Sequence, residues 1–384
     1  MTQPASSFAP ALDYGATIIG ALELSGKSWV LAVQLPGVKR HSKHVLEPRC
    51  EDLVALIERL KARSAAGHKI ERVILTHEAG QDGFWLARFL KQRGIEVHVM
   101  QPSSVPVDRR ARRAKTDSID VEMLLRTLLA WLRGEPRVCS MVPIPSEADE
   151  EARRAHRERE DLICERRSIV NKMGGILATL GVKGFKALRR DRREQLSLLR
   201  QPGGDPIPQL ARGRLERMLD RLELVLQQIE KVEKVRDAVL AKPAPANEAE
   251  RMIRSLAELR SIGADFATIL VREAFVRDFR SRRAVAGYAG LGGTPFSSGG
   301  SEREQGIGKD GNRRLRTAMV ELAWLWLRWQ PNSGLSAWFR RRTEQAGSRT
   351  KKIMIVALAR KLLVALWRYV KDGVIPEGAE MKAA

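Results

Sequence analysis

Ala16-Thr17-Ile18-Ile19-Gly20-Ala21-Leu22-Glu23-Leu24, then Ser25-Gly26-Lys27, then Ser28-Trp29-Val30-Leu31-Ala32-Val33-Gln34-Leu35 form one continuous stretch near the start of the chain. Two apolar, β-rich runs separated by a short polar break containing glycine predict two strands joined by a tight turn. In the first of them Ile19, Ala21 and Glu23 fall on one face, because side chains alternate along a strand. A charged residue therefore ends a run that is otherwise suited to burial, and a carboxylate placed there needs a partner.

Outward from this hairpin the pattern continues in alternation. A weak third strand lies near His44–Leu46, and Leu53, Leu56, Ile57 and Leu60 recur at helical spacing between Asp52 and Arg63. Arg72–His77 reads as a strand, Phe84–Gln92 as a helix and Glu96–Met100 as a strand, with a further helix after Lys115. Strands alternating with helices after an initial hairpin predict an α/β domain over residues 14–148, a mixed sheet flanked by helices. Glu78 closes the strand expected beside the first, so Glu23 and Glu78 should meet at adjacent strand ends. Asp117 and Asp120, three residues apart, share one face of the following helix. Four acids brought together repel unless cations neutralise them, and hard oxygen donors select Mg2+, with Mn2+ as an alternative, over zinc. Two such ions, roughly 3.5–4 Å apart, would serve phosphodiester chemistry by activating the attacking oxygen and stabilising the leaving one. The plainer reading leaves Glu23 in solvent and makes Asp117 a helix cap.

From about Asp149 the β pattern stops. Leu162, Ile169, Met173, Ile176 and Leu180 recur at multiples of three and four. After a break at Pro202-Gly203-Gly204-Asp205-Pro206, the residues Leu215, Met218, Leu222, Val225, Ile229, Val232 and Val239 keep a coiled-coil-like seam, with Arg236 its polar member. Residues 149–247 thus predict two long helices, paired with each other or across a dimer, or simply two amphipathic helices. Residues 248–374 read as mainly helical, interrupted by a Gly- and Ser-rich interval between Gly287 and Gly311 that is too long for a passive connection and is expected to be a functional loop. Residues 1–13 and 375–384 are expected to be flexible tails. Tryptophans Trp324, Trp326, Trp329, Trp338 and Trp367 cluster nearby and are read as core in preference to base-stacking platforms.

The net charge of the 384-residue chain is +22, which points to a polyanionic partner, nucleic acid first. Cys50, Cys139 and Cys164 are odd in number and widely separated, which suits a reducing compartment and offers no zinc spacing. The N-terminus lacks a basic segment followed by a long apolar run, and basic residues interrupt every membrane-length stretch, so a cytoplasmic protein is expected. Arg109, Arg110, Arg112, Arg113 and Lys115 directly precede the two aspartates and are expected to hold a phosphate backbone beside the metal site; a solvated charge run is the alternative.

Six segments carry a resemblance. Gly20–Ser25 with the Trp-Val-Leu-Ala-Val strand, His77-Glu78-Ala79-Gly80, and Lys115-Thr116-Asp117-Ser118-Ile119-Asp120 resemble the Asp-Glu-Asp-Asp domain of insertion-sequence 110 family transposases, including the 1111 subgroup. Tyr288-Ala289-Gly290-Leu291, Ser297-Ser298-Gly299-Gly300 and Lys309-Asp310-Gly311-Asn312-Arg313-Arg314-Leu315-Arg316 resemble the second domain of the same family. The resemblance runs from Ala16 to Gly373. It implies an RNase H/RuvC-like domain, a coiled-coil linker and a transposase domain, acting as a homo-oligomer, dimer or tetramer, on the double-stranded DNA of element ends and target. It also implies guidance by a structured bridge RNA. Two departures stand out: Glu23 occupies a position where the family has aspartate, and Leu259-Arg260-Ser261-Ile262-Gly263 stands where a Pro-Gly-Ile-Gly hairpin is expected.

Within the second domain Ser298 is the candidate nucleophile, ahead of Ser297 and Ser301. Gly299 and Gly300 would let a DNA backbone approach, and Arg303, Lys309, Arg313, Arg314 and Arg316 would neutralise it. All six histidines lie at or before His156, so a Ser-His pair within the C-terminal domain is excluded and activation is expected from the four-acid site. The competing readings are a RuvC-like hydrolytic nuclease or junction resolvase, which needs the acids but no serine, and a nucleic-acid-binding protein whose catalytic site has decayed.

Overall fold

The structure, a computed structural model of the chain, describes residues 12–64, 67–80, 83–106, 117–298 and 301–382, with backbone alone at 295–298 and 301–305. It divides into two compact units, Met1–Glu147 and Ala148–Ala384.

The first unit is built on a six-stranded mixed sheet. Its elements are β1 (Thr17–Leu24), β2 (Trp29–Gln34), β3 (Ser42–Leu46), α1 (Cys50–Ser64), β4 (Arg72–Glu78), α2 (Trp85–Lys91), β5 (Glu96–Met100), a 3-10 turn (Pro102–Ser104), α3 (Asp117–Leu132) and β6 (Met141–Val142). The strand order is β3-β2-β1-β4-β5-β6. β1 pairs antiparallel with β2 and parallel with β4, and β5 runs parallel to β4. The opening hairpin turns on Ser25, whose Oγ accepts from Ser28 N at 3.1 Å and donates to Ser28 O at 2.6 Å, a side chain standing in for a turn bond.

Strand alternation gives the sheet two buried faces. Leu22, Leu31, Leu75 and Val97 pack under α1 and α2, through Leu53, Ile57, Leu86 and Leu90. Ile19, Ala21, Ala32, Ile74 and Met100 pack under α3, through Val121, Leu124, Leu125 and Leu128. Each fully buried leucine or isoleucine contributes roughly 1.5–3 kcal/mol relative to exposure, so two-sided burial makes the central strands the most strongly specified part of the unit. The two-residue strand β6 has no periodic pattern of its own and is not legible in the sequence.

The second unit comprises α4 (Glu147–Thr179), α5 (Arg192–Leu198), α6 (Gln209–Leu240), α7 (Glu248–Glu258), α8 (Ala264–Leu270), a π-helical turn (Val271–Phe275), α9 (Arg282–Tyr288), β7 (Gly293–Ser298), β8 (Ser301–Ile307), α10 (Arg313–Trp329), α11 (Gly334–Thr343) and α12 (Ser348–Asp372). α4 and α6 pack antiparallel: Met173 and Leu177 meet Leu215, Met218 and Leu222, while Leu162 meets Val225 and Ile229. Arg236, the polar residue of the seam, forms ion pairs with Asp237 and Asp265, and Arg159 pairs with Glu233 and Asp265 at 2.7 Å each.

Two expectations are corrected here. The Gly- and Ser-rich interval is not an irregular loop, since residues 293–298 and 301–307 pair as an antiparallel hairpin with a register irregularity between Gly293 and Pro295. Its small and polar residues hide the β pattern, which backbone pairing supplies without an apolar face. Residues 375–382, read as part of a tail, are held against the α7–α8 connection: Arg260 N donates to Glu380 O at 3.0 Å, Lys382 N to Glu258 O at 2.7 Å, and Gln330 Nε2 to Glu380 O at 2.8 Å. Such backbone pairing across long sequence separation carries no compositional signal. Among the tryptophans, Trp326 is fully buried and donates to Ser333 Oγ at 2.9 Å, whereas Trp324 and Trp329 are exposed.

Candidate functional site

The register of β1 with β4 sets Leu22 opposite His77, so Glu23 and Glu78 occupy the next matched positions at the ends of neighbouring parallel strands. Both are half-buried, on the sheet face that α3 covers. Asp117 and Asp120 form the first turn of α3, the former exposed and the latter half-buried. β3 and the residue before it hold the start of this helix: Lys43 Nζ donates to Ser118 O at 2.9 Å and to Ser118 Oγ at 3.0 Å, and His41 Nδ1 donates to Glu122 Oε1 at 2.8 Å. Burial raises the Glu122 carboxyl, but the His41 hydrogen bond and the neighbouring charges outweigh it and hold the group below the usual carboxylate range.

The four acids are oxygen donors of the kind a hard divalent cation takes, and Glu23 and Glu78 end neighbouring strands. Among the described residues, however, no group of three or more His, Cys, Asp or Glu lies close enough to hold a metal.

Ser298 is the last residue of β7 and pairs with Ser301 across residues 299–300, which lie outside the described residues. The side chains of Ser298 and Arg303 are likewise outside them, as are Arg109, Arg110, Arg112, Arg113 and Lys115 altogether. What the structure defines is the base of this hairpin. Gly308 N donates to Gly292 O at 2.9 Å, Asn312 N to Tyr288 O at 2.7 Å, and Arg316 Nη1 to Lys309 O and Ala289 O at 3.0 and 3.2 Å. The two motif segments, Tyr288–Leu291 and Lys309–Arg316, are therefore the two sides of one clamp. Within it Lys309 and Arg313 are exposed, Arg316 is occupied with backbone carbonyls, and Arg314 pairs with Glu160 at 2.6 Å.

Behind the clamp lies a group that sequence reasoning missed. Glu273, 2% exposed, accepts from His156 Nε2 at 2.9 Å, Arg157 Nε at 2.8 Å and Asn312 Nδ2 at 2.8 Å. Burial pushes this carboxyl up, but those three donors and the Arg157 charge prevail and hold it well below the usual range. Asn312 also caps α10, its Oδ1 accepting from Leu315 N at 3.0 Å. The available signal was a single acid inside the apolar run Ile269–Phe275. His156, distant in sequence from the C-terminal region, is thus committed to Glu273 and structural in kind.

Comparison with known proteins follows the same division. Residues 26–181 match a family pattern described as a transposase of the DEDD type of IS110, and residues 253–337 match one described as the transposase IS116/IS110/IS902 family. The chain is 45% identical to the Sinorhizobium fredii protein named "Putative transposase y4rJ", over 99% of this chain and 98% of that one. It is 27% identical to the "Probable family 20 transposase" of Pseudomonas aeruginosa, over 87% and 92%. It is 25% identical to the "Transposase for insertion sequence element IS1328" of Yersinia enterocolitica, over 79% and 85%. Among the described residues no helix is long and apolar enough to cross a membrane.

Proposed function

This chain belongs to the IS116/IS110/IS902 family of transposases, DNA-cleaving and recombining enzymes, and on that premise we propose that it mobilises an insertion sequence by metal-assisted strand cleavage and exchange through a serine nucleophile. The observation that carries the reading is the register that matches Glu23 with Glu78 on the α3 face, with Asp117 and Asp120 opening that helix. The strand order of the sheet supports an RNase H/RuvC-like assignment.

Glu23, Glu78, Asp117 and Asp120 are the residues that would hold Mg2+, or Mn2+ in its place. The bound cations would polarise the phosphate and stabilise the departing oxygen. Ser298 supplies the nucleophile: its Oγ–phosphorus bond forms as the phosphorus bond to the departing strand oxygen breaks, the serine proton passing to a base and the departing oxygen taking one up. Arg109, Arg110, Arg112, Arg113 and Lys115 in the first unit, with Arg303, Lys309 and Arg313 in the second, neutralise backbone phosphates. The partners are double-stranded DNA at element ends and target and a structured guide RNA, and the acting form is a homo-oligomer.

The test is cleavage of element-end DNA by purified full-length protein. Glu78→Gln and Asp120→Asn should abolish cleavage with DNA affinity retained, and Ser298→Ala should bind DNA but yield no covalent adduct on denaturing gels. An adduct from Ser298→Ala would overturn the nucleophile. Cleavage with no adduct in the unmodified protein would favour the hydrolytic reading. The third reading is binding without catalysis. Absence of metal-dependent cleavage under recombining conditions would favour it.

A further inference from the structure

The face of α12 opposite its buried side carries Arg349, Lys352, Arg360, Lys361 and Arg368, all exposed. These residues line one wall of an open groove, and Arg282, Arg283 and Lys309 line its other side, again all exposed. Ile353, Val356 and Val364 form an apolar floor between them, Ile353 being 60% exposed. Among the described residues the lining contains no aspartate or glutamate, and none of the eight basic side chains enters an ion pair. Elsewhere in the unit Arg159, Arg193, Arg236 and Arg314 are matched to carboxylates.

Eight unmatched cations converging on one groove repel each other unless a polyanion lies among them. The groove holds about 1180 Å³, above the roughly 300–1,000 Å³ of small-molecule pockets. Along α12, Arg349 and Arg368 are about 28 Å apart at ~1.5 Å per residue, which corresponds to roughly eight base pairs at ~3.4 Å each. That length fits a row of phosphates and not a single one. An apolar floor between basic walls also suits the sugar edge of a backbone, whose contacts position a duplex without reading sequence.

We propose that this groove is the track for the duplex DNA on which the second unit acts. It ends at the base of the hairpin, since Gly293, Gly306 and Ile307 complete its lining, and β7 leads from that base to Ser298. The inference rests on the reading of this hairpin as the strand-cutting element, and it adds the surface that delivers the backbone to it. Its residues lie outside the two motif segments except for Leu291 and Lys309.

The test uses full-length protein and a 30-base-pair duplex, with affinity measured as a function of salt. In R349A/K352A/R360A/R368A the log–log salt slope should fall by roughly 3.6, four contacts at ~0.9 each, with affinity at least about tenfold weaker at moderate salt. The lysine-substituted R349K/R360K/R368K should keep the slope, because phosphate contacts count charge. A control with equal charge loss on exposed α6 positions, R214A/R217A/R221A/K231A, should also keep it. If the α12 variant bound DNA with an unchanged slope while the unmodified protein showed ordinary salt-dependent binding, the groove proposal would fall and the transposase reading would stand. Loss of affinity for a structured RNA with the DNA slope intact would overturn it equally, by giving the groove a different occupant. No salt-dependent duplex binding by the unmodified protein would remove both.

Discussion

Asn312 joins two tasks in one side chain: its Nδ2 donates to the buried carboxylate of Glu273 at 2.8 Å while its Oδ1 caps α10 through Leu315 N at 3.0 Å. The start of the helix that follows the hairpin is thus fixed to a charge cluster contributed by α4 and the π-helical turn. Removing that charge should be costly. Glu273→Gln would leave His156 and Arg157 facing a neutral amide, and breaking a buried pair costs about 3–5 kcal/mol, the lower end being apt because Arg157 is 41% exposed. The expected result is a lower melting temperature of the second unit in calorimetry. An unchanged transition would show that the cluster adds nothing to stability.

The same carboxylate sets a pH dependence. Its folded-state pKa lies below the ordinary value, so the unfolded chain binds the extra proton first and the stabilisation is present above the unfolded value of ~4.3. It is lost progressively as pH falls below that value. Between pH 5 and pH 2.5 the unmodified protein should therefore lose more stability than Glu273→Gln, and the two melting curves should converge. Parallel curves would assign the acid sensitivity to other groups.

Gly311 is fixed by contact. A Cβ there would stand 2.3 Å from Tyr288 O and 2.4 Å from Gly290 N, both backbone atoms that cannot swing aside. At Gly308, by contrast, the nearest atom would be Thr294 Cγ2 at 3.6 Å, an ordinary contact. Gly311→Ala should thus destabilise by about 1–3 kcal/mol or more and loosen the hairpin base, while Gly308→Ala should be nearly silent. Limited proteolysis across residues 290–312 is the measurement; equal cleavage rates in the two variants would contradict the clamp.

These contacts mark the limit of what the sequence shows. The sheet was legible because burial on two faces makes β1, β2 and β4 near-continuous apolar runs, and because Glu23 and Glu78 each end such a run. The helix pair was legible from its apolar spacing. Glu273 was not, since its donors come from positions over a hundred residues upstream and about forty downstream, and a lone acid in an apolar run names neither. The hairpin was hidden by glycine and serine, which pair through the backbone without an apolar stripe. The α12 groove was visible only in part, as a basic cluster at Arg349–Lys352, because its far wall arrives from α9.

Ser261 occupies the turn between α7 and α8 with φ of 101°, a region that favours glycine. Ile262 N donates to Leu259 O at 3.0 Å, and Ser261 Oγ is buried with no hydrogen-bond partner among the described residues. Ser261 lies within the segment that stands where the resembling family pattern has a Pro-Gly-Ile-Gly hairpin. Ser261→Gly relieves both the backbone strain and the orphaned hydroxyl, so it should stabilise the second unit by about 1 kcal/mol, seen as a higher denaturation midpoint. A lower midpoint would mean that the serine makes a compensating contact.

Glu23 is the departure nearest to the chemistry. Its match with Glu78 across β1 and β4 places two carboxylates at one edge, and replacement of glutamate by aspartate withdraws the group by one carbon–carbon bond, about 1.5 Å. A misplacement of ~1 Å can cost ~10²-fold where geometry is already fixed by a rigid shell. Glu23, however, is half-buried at the penultimate position of its strand, beside the Ser25 turn, and its extra rotatable bond lets the longer acid present the same oxygens as the shorter. Glu23→Asp should therefore keep metal-dependent cleavage within about tenfold, and Glu23→Gln, which retains length but removes charge, should lose at least ~10²-fold. DNA affinity should be unchanged in both, since it comes from the basic residues. If Glu23→Gln cleaved like the unmodified protein, Glu23 would be no part of the site. If Glu23→Asp were as inactive as Glu23→Gln, the site would have been refitted around the longer side chain, and Mg2+ titration of cleavage by the unmodified protein should then show a dependence that no aspartate variant reproduces.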